Sequence, residues 1–353
     1  MMMPRAAWMA IPLALLAPVA MAPILAQPPG FPPIQPEQAR LILTMSGLEQ
    51  PIVGLLNLGE RGPVLTLTDR GVIQWWTWPQ LLGVRASQTN SPLRLSDSPV
   101  YTSAVFLPPG HIILGGSDGK IYIHSPWSEV PPRFWPGHRG SVRALAALGE
   151  NFLASGGDDG AIMIWDVANG QTKLRWSAHS DWISALAGNT KVRILASAGY
   201  DTAIHLWNLE NAQKIRDLTV SSAEKKSDGS VLVLPPICGA LTFSEDGKLL
   251  AAGFLDGTIR LYDVASGNLN RVLTGHSSQV SALIFHPCGQ VLISASRDRT
   301  IRLWNVSNGQ PYRVLEGHQS WVQGIALMDG GTRLISGSID GTLRVWDLRA
   351  PPK

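Results

Sequence analysis

Apolar and polar residues alternate in short bursts along most of this chain, and each burst follows the same kind of turn. The clearest copies read Asp159-Gly-Ala-Ile-Met-Ile-Trp165-Asp166, Asp201-Thr-Ala-Ile-His-Leu-Trp207-Asn208 and Asp256-Gly-Thr-Ile-Arg-Leu-Tyr262-Asp263. Asp298-Arg-Thr-Ile-Arg-Leu-Trp304-Asn305 and Asp340-Gly-Thr-Leu-Arg-Val-Trp346-Asp347 continue the series. Period-two alternation after an acidic turn predicts a half-buried strand in each. Two weaker copies come earlier: Asp118 to His124 keeps the spacing without the aromatic, and Asp69 to Trp76 carries one extra residue. The strand ends fall at 76, 124, 165, 207, 262, 304 and 346, with gaps of 48, 41, 42, 55, 42 and 42 residues. Seven copies at this spacing predict a repeat architecture in which each unit buries its apolar faces against its neighbours.

A second mark runs in phase with the first. Gly137-His138, Ala178-His179, Gly275-His276 and Gly317-His318 each lie 27 or 28 residues before the aromatic. The pairing resembles the WD-repeat family of β-propellers over about residues 40 to 349. The first two copies carry no Gly-His, and the fifth has Leu234 and Tyr262 in place of the histidine and tryptophan. The resemblance implies an all-β fold: a seven-bladed β-propeller of four-stranded antiparallel blades. The copy ending at Trp346 stops one strand short, so Arg40 to Met45 (RLILTM) is expected to supply the missing outer strand and close the ring. The 55-residue gap holds a polar insertion at 220–235, expected to be an exposed loop or a second docking element.

Composition fits this picture. A chain of 353 residues suffices for one large β domain, and 35 Gly and 26 Pro with only 16% charged residues favour short strands and tight turns. A net charge of +3, with no basic run longer than Lys225-Lys226, argues against nucleic acid as the main partner. Two cysteines, Cys238 and Cys288, fall at different points of the repeat and are not expected to pair.

The amino terminus has the layout of an export signal. Met1 to Arg5 is a short positive start, and Ala6 to Ala26 follows without one charged residue, interrupted by Pro12, Pro18 and Pro23. Residues 1–26 are therefore expected to be a signal peptide cleaved after Ala26, with a retained membrane anchor as the rival. Residues 27–39 read as a Pro-rich linker and 350–353 as a tail. The expected location is the periplasm, a lumen or the extracellular space.

Ser, His and Asp recur together, which raises the question of a hydrolase. Yet His138, Ser155, Asp159 and Trp165 are matched by three more sets, ending at Trp207, Trp304 and Trp346. A catalytic triad is needed once. Four equivalent copies imply a structural hydrogen-bond chain from tryptophan through serine and histidine to aspartate, as in the resembled family. Gly115-Gly-Ser117-Asp-Gly119 fits the nucleophile-elbow pattern but lacks the strand-to-helix context that motif requires. His111, His124, His205 and His286 do not cluster along the chain. No catalytic residue, metal site or cofactor is expected.

Function is then expected on a surface. The resemblance places docking on the top face, lined by the starts of the innermost strands and by the turns between the second and third strands. The positions concerned lie three and five residues after the histidine, two apart and so expected on one side of a strand, and just before the turn aspartate. They are Ser141, Arg143 and Asp158; Trp182, Ser184 and Tyr200; Gln279, Ser281 and Arg297; and Trp321, Gln323 and Ile339, with Tyr101 and Ser117 added by alignment. Trp, Tyr and Arg dominate protein-binding hot spots. The bland alternative makes Trp182 and Trp321 partly buried packing residues. The expected function is a non-enzymatic, monomeric scaffold for a protein or peptide. The rivals are an enzyme with a central-channel pocket and a membrane-tethered cytoplasmic scaffold.

Overall fold

The computed structural model describes residues 36–45, 51–57, 64–68, 72–76, 93–94, 99–107, 110–124, 133–220 and 236–349. These form seven four-stranded antiparallel sheets. Blade 3 shows the plan, with strands a to d at Val142–Leu148, Phe152–Gly157, Ala161–Asp166 and Gln171–Ser177. The innermost strands of the other blades are Ile52–Asn57, Tyr101–Leu107, Ile183–Asn189, Cys238–Phe243, Val280–Phe285 and Val322–Met328. Each touches the next around the ring, and the last touches the first.

Blade 7 is closed as the sequence predicts. Arg40–Met45 pairs antiparallel with Leu343–Asp347, from Arg40 opposite Asp347 to Met45 opposite Leu343. The closure begins earlier than the linker expected at 27–39 allows. Pro36–Gln38 forms a 3-10 turn, and Ala39 is buried in the core between blades 6 and 7. The reason lies in how the outer strands interlock. Arg216 on blade 4 donates to the carbonyls of Ala265 and Ser266 in the c–d turn of blade 5, and Arg271 does the same to Ser307 and Asn308 of blade 6. Blade 7 is cut open at that turn, and Arg313 instead reaches the Glu37 carbonyl at 3.3 Å. The turn at 36–38 thus replaces a missing c–d turn. Gly267 shows how tight the fit is: its φ is 75°, and a Cβ there would collide with Arg216.

The core is divided among the blade interfaces. Seven apolar clusters lie one between each neighbouring pair, from Leu65, Ile73 and Tyr101 between blades 1 and 2 to Leu55, Ile335 and Val345 between blades 7 and 1. A single blade exposes both its faces, so the ring is the smallest unit that buries them all.

Four buried polar chains hold the blades internally. In blade 3, Trp165 Nε1 donates to Ser155 Oγ at 2.8 Å, Ser155 lies 2.8 Å from His138 Nε2, and His138 Nδ1 lies 2.8 Å from Asp159. An indole N–H only donates, so the serine oxygen accepts it and turns its own proton to Nε2. The ring proton then sits on Nδ1 and goes to the aspartate. The same chain recurs through Trp207, Ser197, His179 and Asp201; Trp304, Ser294, His276 and Asp298; and Trp346, Ser336, His318 and Asp340.

The other three blades satisfy the same positions differently. In blade 1, Thr66 replaces the serine and accepts from Trp76 Nε1 at 3.1 Å. In blade 2, Leu114 and His124 replace serine and tryptophan, and Asp118 takes the Tyr122 hydroxyl at 2.8 Å instead. In blade 5 the serine is Ala252, and the Tyr262 hydroxyl donates to the Thr219 carbonyl at 3.1 Å. Phe254 stands there where blade 3 has Gly157, over which the His138 ring packs, so it fills the room of a histidine. Leu234, residues 1–26, for which an export signal was expected, residues 350–353 and all of the insertion except Val220 lie outside the described residues.

Candidate functional site

The top face is shaped by a bulge that every blade repeats. Strand a slips by one residue just after it begins: Val142 faces Gly157 and Ala144 faces Gly156, leaving Arg143 out of the ladder. Val53, Thr102, Ser184, Gly239, Ser281 and Gln323 are left out in the same way. A bulge re-aims the extra residue. Strand alternation therefore does not bring positions three and five to one side, as the sequence reading assumes, because position three precedes the strand and position five is the bulged residue. A repeated backbone bond fixes the third position. The residue before the turn aspartate donates its N–H to the position-three carbonyl, as Asp158 does to Ser141 (3.0 Å), Tyr200 to Trp182 (2.8 Å), Arg297 to Gln279 (2.9 Å) and Ile339 to Trp321 (3.0 Å).

These constraints assemble a cation–aromatic cluster. Trp182 and Trp321 are exposed, at 44% and 36%. The Arg143 guanidinium sits 4.8 Å from the Trp182 ring and is held by Asp158 at 2.5 Å. Tyr200 meets Trp182 edge-on at 5.7 Å. Across the mouth, Arg297 lies 4.4 Å over Trp321. Burial raises the pKa of the Tyr200 phenol, and the charges of both Arg143 and Arg297 pull it back, which puts blades 3, 4 and 6 in electrostatic contact. Gln279 is buried behind Arg297, and Gln323 is half-buried at the bulge of blade 7.

Three positions in the sequence reading belong elsewhere. Tyr101 is buried between blades 1 and 2, edge-on to Tyr122 at 5.6 Å. It pairs with Gly116 as Val142 pairs with Gly157, so it occupies the position before the bulge and points to the core. Val100, 49% exposed, holds the face position instead. Ser184 and Ser281 are buried clips between blades, donating to the carbonyls of Cys238 (2.6 Å) and Val322. Sequence reasoning also missed Ile237 and Leu255 of blade 5, joined by the same face bond at 3.0 Å. That blade has no histidine from which to count, and only the strand register reveals them. Ser117 lies in the turn between two strands of blade 2, with no helix following, so the nucleophile-elbow pattern has no matching context.

Among the described residues, one group of three brings possible metal ligands together: His179, Asp201 and His205, with ligand atoms within 4.8 Å. His205 was not expected beside the others. It lies two residues before Trp207 on strand c, where blade 2 has Tyr122, and stacks on the His179 ring at 4.6 Å. Both His179 nitrogens are engaged, Nδ1 by Asp201 and Nε2 by Ser197, and His205 Nδ1 meets Asp217 at 2.5 Å. Metal binding by His179 would break the polar chain of blade 4, and the group fits a structural role.

The description "WD domain, G-beta repeat" (WD40) matches residues 129–166, 170–208, 236–263, 267–305 and 309–347, together more than half of the chain. The chain belongs to the WD40 family. Its WD40 repeats are similar to the small ribosomal subunit protein RACK1 of Brassica napus, at 31% identity over 36% of this chain and 41% of the relative. They are similar also to RACK1 of Caenorhabditis elegans (27%; 36% and 38% of the two chains) and to Autophagy-related protein 16 of Arabidopsis thaliana (24%; 49% and 32%). The chain spans less than half the length of each of these curated relatives.

Proposed function

We propose that this WD40 protein is a non-enzymatic scaffold that acts as a monomer and holds a protein or peptide on its top face. The observation that carries this reading is the pair of exposed indoles, each under a guanidinium, at the mouth of a rigid ring. Large aromatic surfaces with few rotors bind at little entropic cost. The polar groups that resemble a catalytic triad are already engaged in four structural chains, which favours a scaffold over an enzyme. Changing Trp182 and Trp321 together to Ala is expected to leave the thermal melt unchanged and to abolish partner recovery from native extract. Recovery at the wild-type level would refute the docking face.

The same reading places the protein on the exported side of a membrane, on the strength of the basic start and the uncharged stretch from Ala6 to Ala26. No helix among the described residues is long and apolar enough to cross a membrane. Amino-terminal sequencing of the mature protein tests this: a chain beginning at Gln27 supports export with cleavage, and one beginning at Met1 supports the retained anchor.

A further inference from the structure

The two cations at the mouth are not equivalent. Arg143 is neutralised by Asp158 at 2.5 Å. Arg297 forms no ion pair and no side-chain hydrogen bond with any described residue, and its Nε is buried without a partner. Removal from water also lowers its pKa, with the neighbouring Tyr200 hydroxyl opposing that shift. A guanidinium keeps its proton under such conditions, so its five N–H donors remain cationic and under-used. Beside it, Gln279 is only 5% exposed, and its Nε2 also lacks a partner. The two residues share the backbone bond from Arg297 N to the Gln279 carbonyl, which fixes their spacing.

Buried polar groups in native proteins are nearly always satisfied, yet half-buried Arg297 keeps its Nε, and Gln279 its Nε2, buried without a partner. Two orphaned donors on residues joined by a backbone bond call for an acceptor from outside. The charged residues that act on the Tyr200 phenol are Arg143, Arg297, Asp181 and Asp158; Arg143 pairs with Asp158, and Arg297 pairs with neither acid. The Arg297 guanidinium lies 4.4 Å over the Trp321 ring, and a guanidinium edge can offer two parallel N–H groups to a planar anion. Trp182 and Tyr200 supply apolar surface on the opposite side.

We infer that the occupant of the top face is an acidic peptide segment, whose Asp or Glu carboxylate is received by Arg297 and Gln279. The peptide's neighbouring apolar or aromatic side chain lies against Trp182 and Tyr200. This inference rests on the docking face proposed above and names the chemistry of its partner. Arg143, already neutralised, contributes its flat surface rather than its charge.

The test uses the full chain, immobilised, and a phage-displayed library of random twelve-residue peptides. Enriched peptides are resynthesised with each Asp or Glu changed in turn to Asn or Gln. Binding is measured to wild type, Arg297→Gln, Arg297→Lys, Gln279→Ala and the Trp182→Ala/Trp321→Ala double variant, with thermal melts as folding controls. Arg297→Gln removes a charge that no described residue pairs as an ion, so its melt should fall by no more than the small contribution of the contact with Trp321. The expected result is a shared acidic position whose neutralisation weakens binding by about 10- to 100-fold, the range for one charge-assisted pair. Arg297→Gln should produce the same loss, and combining the two changes should cost no more than either alone. Arg297→Lys, which keeps the charge but not the planar edge, should fall between.

Enriched peptides with no shared acidic position, or independent losses that multiply, would overturn the carboxylate inference. If those peptides still lost binding in the double tryptophan variant, the docking face would stand without it. No enrichment, or binding indifferent to every variant, would overturn both. Binding of a fluorescein-labelled dT12 oligonucleotide in preference to the peptides, lost in Arg297→Gln, would replace the peptide by nucleic acid.

Discussion

Ser294→Ala is the sharpest probe of the polar chains, because the hydroxyl it removes serves two buried groups at once. Ser294 Oγ accepts from Trp304 Nε1 at 2.8 Å and lies 2.7 Å from His276 Nε2. Ser294 and Trp304 are fully buried, so water cannot take the hydroxyl's place. The His276 ring cannot turn away, because Asp298 holds its Nδ1 at 2.7 Å. Each orphaned group costs about 1–3 kcal/mol, so the substitution should destabilise by roughly 2–6 kcal/mol. Blade 5 shows why alanine alone is not the fault. Ala252 occupies the equivalent position there, but Tyr262 replaces the indole and sends its hydroxyl to the Thr219 carbonyl.

A double-mutant cycle isolates the orphaned indole from the lost packing. Trp304→Phe deletes the N–H and costs packing of its own. Adding Ser294→Ala to it should then cost about 1–3 kcal/mol less than in wild type, since one orphan no longer exists. Urea unfolding followed by far-ultraviolet circular dichroism reads both values. A Ser294→Ala cost within about 0.5 kcal/mol of zero, or a cycle additive to about 0.5 kcal/mol, would refute the account of the chain as a set of mandatory bonds.

Two further outcomes follow from the same structure. Stability should fall as pH drops below about 6.5, the ordinary histidine value. Burial lowers the pKa of His179 and His276 and pushes His286 and His318 down to about 4, so the unfolded chain binds protons that the native chain refuses. His318 alone accounts for at most about 3 kcal/mol between pH 6.5 and 4. The turn aspartates add to the loss only below about pH 4: burial opposes the charge of Asp159, but the His138 and Arg139 bonds outweigh it and hold the carboxyl at about 2. Urea midpoints that stay level from pH 7 to 4.5 would contradict this. Deleting residues 38–46 should lower the melting temperature by about 10 °C or more, because it strips the outer strand from Leu343–Asp347 and removes Ala39 from the blade 6–7 core. An unchanged melt would exclude closure of the ring by this strand.

The ring was legible in the sequence because each repeat writes its hydrogen-bond chemistry in residue types that few other contexts need together. Asp298, Trp304 and His276 have nearly fixed spacing because two strands and a turn separate His276 from Asp298, and the next strand carries Trp304. The start of the closure was not legible. Pro36 to Ala39 carries no repeat motif, and its role comes from Arg313 needing a carbonyl where the chain is cut.

The positions at the mouth of the ring were legible only where a histidine provided an origin for counting. Arg143, Tyr200 and Trp182 meet one another, as do Arg297 and Trp321, although the strand-alternation argument that grouped them is made inapplicable by the bulge. Blade 2, without a histidine, gave Tyr101, which is one residue too far along, and a shift of one residue exchanges face for core. Blade 5 gave nothing, though Ile237 and Leu255 hold the same backbone bond as Trp182 and Tyr200. Motif residues report what a blade needs internally, where every copy faces the same demand. The face has no such shared demand, so its side chains differ from blade to blade, and only the register common to all seven identifies them. That difference is also what gives the mouth an address: one paired arginine, one unpaired, and an indole beside each.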